Sequence, residues 1–303
     1  MTSSLSIKAP AKINLYLEIK GNRPDGYHEL VMVLQSIDLC DFVHFRTHAA
    51  ETIHVSCNHP QVPTDRTNLA FRAAALMQQN YPGFGGVEIA IEKQIPVGAG
   101  LAGGSTNAAA VLVGLDRLWD LGLTQLELQE LGSQLGSDVP FCISGGTALA
   151  VGRGEVLSPL PDLDRMALAI CKPRQISIST AWAYQTFRAE NSIATSPIKD
   201  QHYSSQMLAA IATNEDDNYG RIGRLLYNDL ERVVLPAYPE LAALKASLQQ
   251  DSFGALMSGS GSTVFAIAQD LDHASRIADA IGDAYEDMDI WVTSTLIAGI
   301  QDV

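Results

Sequence analysis

Two stretches of the chain carry residue types suited to handling charge. The first is Pro96-Val97-Gly98-Ala99-Gly100-Leu101-Ala102-Gly103-Gly104-Ser105-Thr106, which runs straight into an alanine-rich segment. Glycines let the backbone bend through positive φ and let a ligand approach the main chain. The first N–H groups of the helix that follows have no internal partners and carry the positive end of its dipole. Together they make an anion site, most naturally one for nucleotide phosphates. A glycine-rich turn that only joins strand to helix is the plainer alternative. Gly98-x-Gly100-x-x-Gly103 also matches the dinucleotide fingerprint, but that motif wants an acidic residue about twenty positions on, after a second strand. Asp116 and Asp120 fall within or at the end of the expected helix instead. No Gly-Lys-Ser/Thr follows, so the loop is not a Walker loop either.

The second stretch is Gly136-Ser137-Asp138-Val139-Pro140-Phe141, a tight turn after a helix. Phosphoryl transfer needs an aligned hydroxyl, a proton acceptor and neutralisation of the transferring group. Asp138 is the candidate base, with an ordinary capping aspartate as the alternative. Lys12 lies on a strand between Ala-Pro-Ala and Ile-Asn-Leu, with Asn14 projecting from the same side. It is either part of a solvated face or a cation in a partly apolar site that orients the hydroxyl and holds Asp138 ionised. Lys93, three residues before Pro96, either reaches the nucleotide or is an exposed strand-end lysine. Tyr27-His28 offers an aromatic face and a hydrogen-bonding ring for a base or other planar group; the alternative is a core tyrosine beside a surface histidine. Ser258-Gly259-Ser260-Gly261-Ser262 is either a second wall against the phosphates or a plain hairpin.

The elements that must position these groups follow from periodicity. Residues 5–19 read as a strand interrupted at Pro10, with Ile13, Leu15 and Leu17 on one face and Lys12, Asn14 and Tyr16 on the other. Asp25-Gly26 is turn chemistry, and strands are expected over 29–39 and 41–55. A helix over 67–79, a strand over 87–93 and, after the glycine loop, a helix to Trp119 come next. Thr124 and Glu127 form a capping box for a helix ending at Gly136. A strand over 147–151 leads to Gly152-Arg153-Gly154, read as a domain boundary. The second half reads as strand (166–171), helix (180–188) and a polar stretch of low order to Asp217. Helical segments (219–249), strands (253–257 and 263–268), a helix (272–285) and a last strand (291–297) complete it. The pattern is α+β, with helices on one face of an antiparallel sheet in the second half. We expect two domains, 1–155 binding nucleotide and acceptor and 156–303 completing the site.

Composition narrows the partners. The 303 residues carry a net charge of −14, which repels nucleic-acid backbones while leaving room for a small phosphorylated ligand beside local cations. The four cysteines (Cys40, Cys57, Cys142, Cys171) show no metal-ligand spacing. With no apolar signal core or membrane-length run, a cytoplasmic protein, monomeric or weakly dimeric, is expected.

Taken together, P-x-G-A-G-L-A-G-G-S-T-N-A-A, P-A-K-I-N-L-Y-L, G-x-R-P-D-G-Y-H-E-L and G-S-D-V-P-F resemble the GHMP kinases, over about residues 9–268. The match is to the branch that phosphorylates a cytidine-diphosphate polyol. The resemblance implies an N-terminal domain like the second domain of ribosomal protein S5 and a ferredoxin-like C-terminal domain, with the site between them. It implies ATP and Mg²⁺, with Asp138 as base, Lys12 beside it, Pro96 to Thr106 around the ATP phosphates and Ser105 near magnesium. Tyr27 and His28 would read the cytosine, Asn14 and Lys93 would line the site, and Thr180 and Tyr184 would form its far wall. Homoserine- or mevalonate-type kinases, an ATP-dependent decarboxylase and a non-catalytic sensor are the alternatives on the same scaffold. Ala102 stands where the family usually has glycine, and Thr106 where serine is common. Because an L-residue pays for positive φ, the expectation is an ordinary negative φ at Ala102.

Overall fold

Pro10 does not interrupt the first strand. In the computed structural model, which describes residues 3–193, 203–213 and 218–303, β1 runs from Ser4 to Asn22. Its pairing with β2 (His28–His48) shifts register between Pro10 and Ala11, and a bulge tolerates a residue that cannot donate to the ladder. β2 is likewise continuous where two segments were expected. β3 (Ile53–Cys57), α1 (Leu69–Asn80), β4 (Gly86–Glu92), α2 (Gly103–Trp119) and α3 (Gln125–Ser133) follow. The capping box at Thr124 and Glu127 is present. The turn expected at 136–141 gives way to a short helix, α4 (Val139–Ser144), with Pro140 in its first turn. β5 (Thr147–Gly152) and β6 (Val156–Pro159) form a hairpin.

The second half contains β7 (Ala167–Pro173), α5 (Thr180–Ile193), α6 (Tyr203–Ala212), α7 (Asn218–Arg224) and β8 (Tyr227–Asn228). It continues through α8 (Glu231–Ala237), α9 (Pro239–Gln250), β9 (Gly254–Met257), β10 (Val264–Ile267), α10 (Leu271–Ala284), β11 (Met288–Ser294) and β12 (Gln301–Asp302). Helix α6 corrects the expectation of low order before Asp217: Met207, Ala210 and Ile211 are buried, which gives the segment an apolar face. The rest of that stretch, 194–202 and 214–217, lies outside the described residues.

Two sheets result. The first has the order β12-β1-β2-β4-β3, with β5 also on β2 and β8 on β1; the second is the antiparallel sheet β11-β7-β10-β9. Every residue of β1 from Ala9 to Leu17 is buried, so both faces of the strand are covered. On one face Ile7, Ala9, Val43 and Phe45 pack with α1 and α2 residues such as Ala73, Met77, Ala108 and Leu112. On the other, Ile13, Leu15 and Val33 share a cluster with Leu168, Leu256 and Phe265 of the second sheet. Burial of each such side chain contributes about 1.5–3 kcal/mol, so the two halves hold each other.

Candidate active site

The glycine loop, β1, the turn before β2, α5 and the 258–262 loop enclose a cleft of about 830 Å³. Every residue from Pro96 to Ser105 lines it. Gly98 and Gly100 lie at φ 64° and 75°. At Gly100 a Cβ would come 2.1 Å from the Ser258 carbonyl oxygen, so only glycine fits between the two loops. Ser258 Oγ donates to the Gly100 carbonyl (3.1 Å), Thr263 N–H to that of Ala99 (3.3 Å) and Lys12 N–H to that of Leu101 (3.2 Å). The glycine loop is thus gripped from both halves of the chain. Gly103, Gly104 and Ser105 bring the N-terminal turn of the 17-residue helix α2 to the cleft, with no side chain capping it, as an anion site requires. Thr106 turns away: its side chain is fully buried and does not line the cleft.

Ala102 corrects the expectation of a negative φ. It sits at φ 58°, ψ 27°, in the left-handed region, as the N-cap of α2. Its carbonyl accepts from Thr106 N–H (2.9 Å), closing the first helical turn, and its half-buried methyl packs against the α1–α2 core. The turn from Gly100 into the helix demands this conformation, and alanine accepts the cost of roughly 1–2 kcal/mol.

Lys12 and Asp138 meet in the cleft. Lys12 is only 5% exposed, so the face it shares with Asn14 is not solvated; the second half reaches it at Gly259, where a Cβ would stand 3.4 Å from Asn14 Oδ1. Its Nζ donates to Asn14 Oδ1 (2.7 Å) and lies 3.9 Å from Asp138 Oδ2. Asp138 occupies the N-cap position of α4 but makes no capping hydrogen bond. Its carboxylate therefore points at the cleft rather than at its own helix. Lys93 also lines the cleft, but it is neither exposed nor idle: Nζ donates to the fully buried Asp41 and to Asn107 Oδ1. Asp41 further accepts from Gln94 N–H, Ile95 N–H and Asn107 Nδ2, each at 2.8 Å. Sequence reasoning missed Asp41 and Asn107. The available signals were an acid inside an apolar strand and an amide near the start of an alanine-rich helix.

Also in the cleft, the tyrosine–histidine pair reverses the plainer reading, because Tyr27 is 52% exposed and His28 is buried. The His28 ring lies 5.2 Å from that of Tyr184, and its Nε2 has no hydrogen-bond partner in the protein. Burial, and then the nearby Arg188 charge, hold the His28 imidazolium below its ordinary pKa. Burial, and then Asp138, push the Tyr184 phenol above its ordinary range. Thr180 Oγ1 is 2.9 Å from Ser260 Oγ, and Arg188 Nη2 donates to the Gly26 (2.7 Å) and Tyr27 (3.3 Å) carbonyls. Arg153, Arg188 and the segments Gln61–Pro63 and Thr67–Leu69 also line the cleft; no local pattern distinguishes them in the sequence. Among the described residues no three His, Cys, Asp or Glu side chains converge on a metal position, and no helix is long and apolar enough to cross a membrane.

A glycine-rich loop at a helix N-terminus and a lysine–carboxylate pair facing one cleft are the arrangement expected of a small-molecule kinase. The chain belongs to the GHMP kinase family: residues 68–146 match the GHMP kinases N terminal domain and residues 207–287 the GHMP kinases C terminal domain. Its fold is accordingly the two-domain, α+β fold of those kinases. The chain is 55% identical over 299 residues to the 4-diphosphocytidyl-2-C-methyl-D-erythritol kinase of Gloeobacter violaceus, covering 98% of this chain and 96% of the relative. The enzyme of the same name from Trichormus variabilis is 51% identical, with 98% of each chain covered. A crystal structure of 4-(cytidine 5'-diphospho)-2C-methyl-D-erythritol kinase superposes with a TM-score of 0.76 at 33% identity, covering 97% of this chain and 99% of the other.

Proposed function

We propose that the protein transfers the γ-phosphate of ATP to the 2-hydroxyl of 4-(cytidine 5′-diphospho)-2-C-methyl-D-erythritol, in the non-mevalonate route to isoprenoid precursors, in the cytoplasm. The observation that carries this reading is one cleft lined by the glycine loop, by Lys12 and Asp138, and by Tyr27, His28 and Tyr184. The loop amides and the start of α2 hold the phosphates. Asp138 takes the hydroxyl proton as the new oxygen–phosphorus bond forms and the bond to ADP breaks. Lys12, oriented by Asn14, balances charge on the moving phosphoryl group. A partly exposed carboxylate beside an ammonium is chemically suited to both roles.

Magnesium, when bound, neutralises phosphate charge. The chain supplies too few carboxylates here for a cage of protein ligands, which suits an ion carried mainly by phosphates and water. Ser105, in the first turn of α2, is the residue that would hold it. Tyr27 and Tyr184 present rings to a base and the buried, unpaired His28 Nε2 presents a polar edge to read it. We read residues 1–155 and 156–303 as the two domains and the molecule as a monomer or weak homodimer. The test is ADP release with the cytidine-diphosphate polyol, homoserine and mevalonate offered separately. Turnover of the first alone is expected; preferential turnover of either other acceptor overturns the reading.

A further inference from the structure

The Gly152-Arg153-Gly154 turn between β5 and β6 takes no part in the phosphate loop or the Lys12–Asp138 pair, yet Arg153 lines the cleft. Gly154 lies at φ 107°, and a Cβ there would stand 2.6 Å from Met32 Cε, so the turn is seated hard against β2. Arg153 is fixed at both ends by one carboxylate. Its N–H donates to Glu155 Oε2 (2.6 Å) and its Nε to Glu155 Oε1 (3.3 Å). The guanidinium carbon lies 4.9 Å from the centre of the Tyr27 ring, within cation–π range. These contacts leave uncommitted the two Nη groups, the fork that matches phosphate oxygens.

Four cations line the cleft among the described residues: Lys12, Lys93, Arg153 and Arg188. Lys12 is held by Asn14 beside Asp138, Lys93 by Asp41 and Asn107, and Arg188 by the Gly26 and Tyr27 carbonyls. Arg153 keeps its terminal donors available. In a chain of net charge −14, a diphosphate enters only where a local cation offsets the surrounding field. The glycine loop serves the phosphates of the donor nucleotide. An acceptor whose base is read at Tyr27 and His28 carries a second diphosphate, and Arg153 is the cation stacked on that reading tyrosine.

We propose that Arg153 is a specificity-determining residue that binds the diphosphate of the acceptor through its Nη groups. This rests on the acceptor reading given above. The test is a cycle of ligand truncation against substitution: calorimetric affinities of cytidine and of cytidine diphosphate for the wild-type protein, Arg153→Ala and Arg153→Lys. Wild type binds cytidine diphosphate about 10- to 100-fold more tightly than cytidine. Arg153→Ala abolishes that ratio with cytidine affinity kept, and Arg153→Lys, a point charge without the fork, restores only part. In turnover, Arg153→Ala raises KM for the acceptor and leaves KM for ATP unchanged. If Arg153 merely braces Tyr27, both ligands weaken alike and the ratio persists, which overturns the proposal while the acceptor reading stands. A wild-type protein that binds neither ligand removes the acceptor reading and this proposal with it.

Discussion

Asp138 is an N-cap by position and not by bonding. A capping aspartate spends its oxygens on the first backbone amides of its helix, whereas here they stay available to the cleft. Asp138→Asn keeps the size and removes the proton acceptor, so kcat is expected to fall by about 10²–10⁴-fold. Nucleotide binding, followed with a fluorescent ATP analogue, should hold; a variant with near-normal kcat takes Asp138 out of the base role. His28 carries a second residue-scale consequence. Its folded pKa lies below the ordinary value of 6.5, so between the two values the unfolded chain binds more protons than the folded one. Stability from this group is therefore complete above the unfolded value and is lost as pH falls through the folded one. Urea midpoints measured between about pH 5 and 7 should rise with pH, and His28→Gln should flatten the rise. A slope unchanged in that variant assigns the effect to other groups.

At the scale of elements, the entry to α2 combines a glycine that cannot be replaced with an alanine that can. Ala102→Gly relieves a left-handed φ and gives back some entropy to the unfolded chain, for a net gain of up to about 1 kcal/mol. Gly100→Ala adds a methyl into the Ser258 carbonyl and should weaken both folding and nucleotide binding. Thermal melts of the two variants check the pair, and a clear loss of stability in Ala102→Gly counts against the described loop. These positions also mark what the sequence made legible. The glycine loop, the capping box and most strands announce themselves through local patterns, whose causes are backbone sterics and a period of two or 3.6. Ala102 did not, because its conformation is imposed by where the loop must go rather than by its own preference. Lys12 was ambiguous for a similar reason: strand alternation says which residues share a face, not what covers that face. Asp41 and Arg153 acquire their partners from segments more than fifty and more than a hundred positions away, such as Lys93 and Tyr27. No local reading supplies those pairings.

Across the whole molecule, strands β8 and β12 of the second half are members of the first sheet, and Leu17, Leu30 and Met32 share a core with Ala169, Ala255 and Met257. The two halves should therefore unfold in one cooperative transition. Calorimetry is expected to give a single peak that moves upward as a unit with nucleotide, by about 2.7 kcal/mol of added stability at a hundred times Kd; two separable peaks contradict this. The hydrogen bond from Lys12 to Leu101 has a further effect. It ties the strand that bears the ammonium to the glycine loop, so whatever reshapes one drags the other. On the proposed reading, choice of acceptor is housed elsewhere, in the Tyr27 turn, α5 and the β5–β6 hairpin, none of which contributes to that tie. Retuning this scaffold toward a new alcohol is then a matter of rebuilding its rim, while Lys12 and Asp138 beneath keep their alignment.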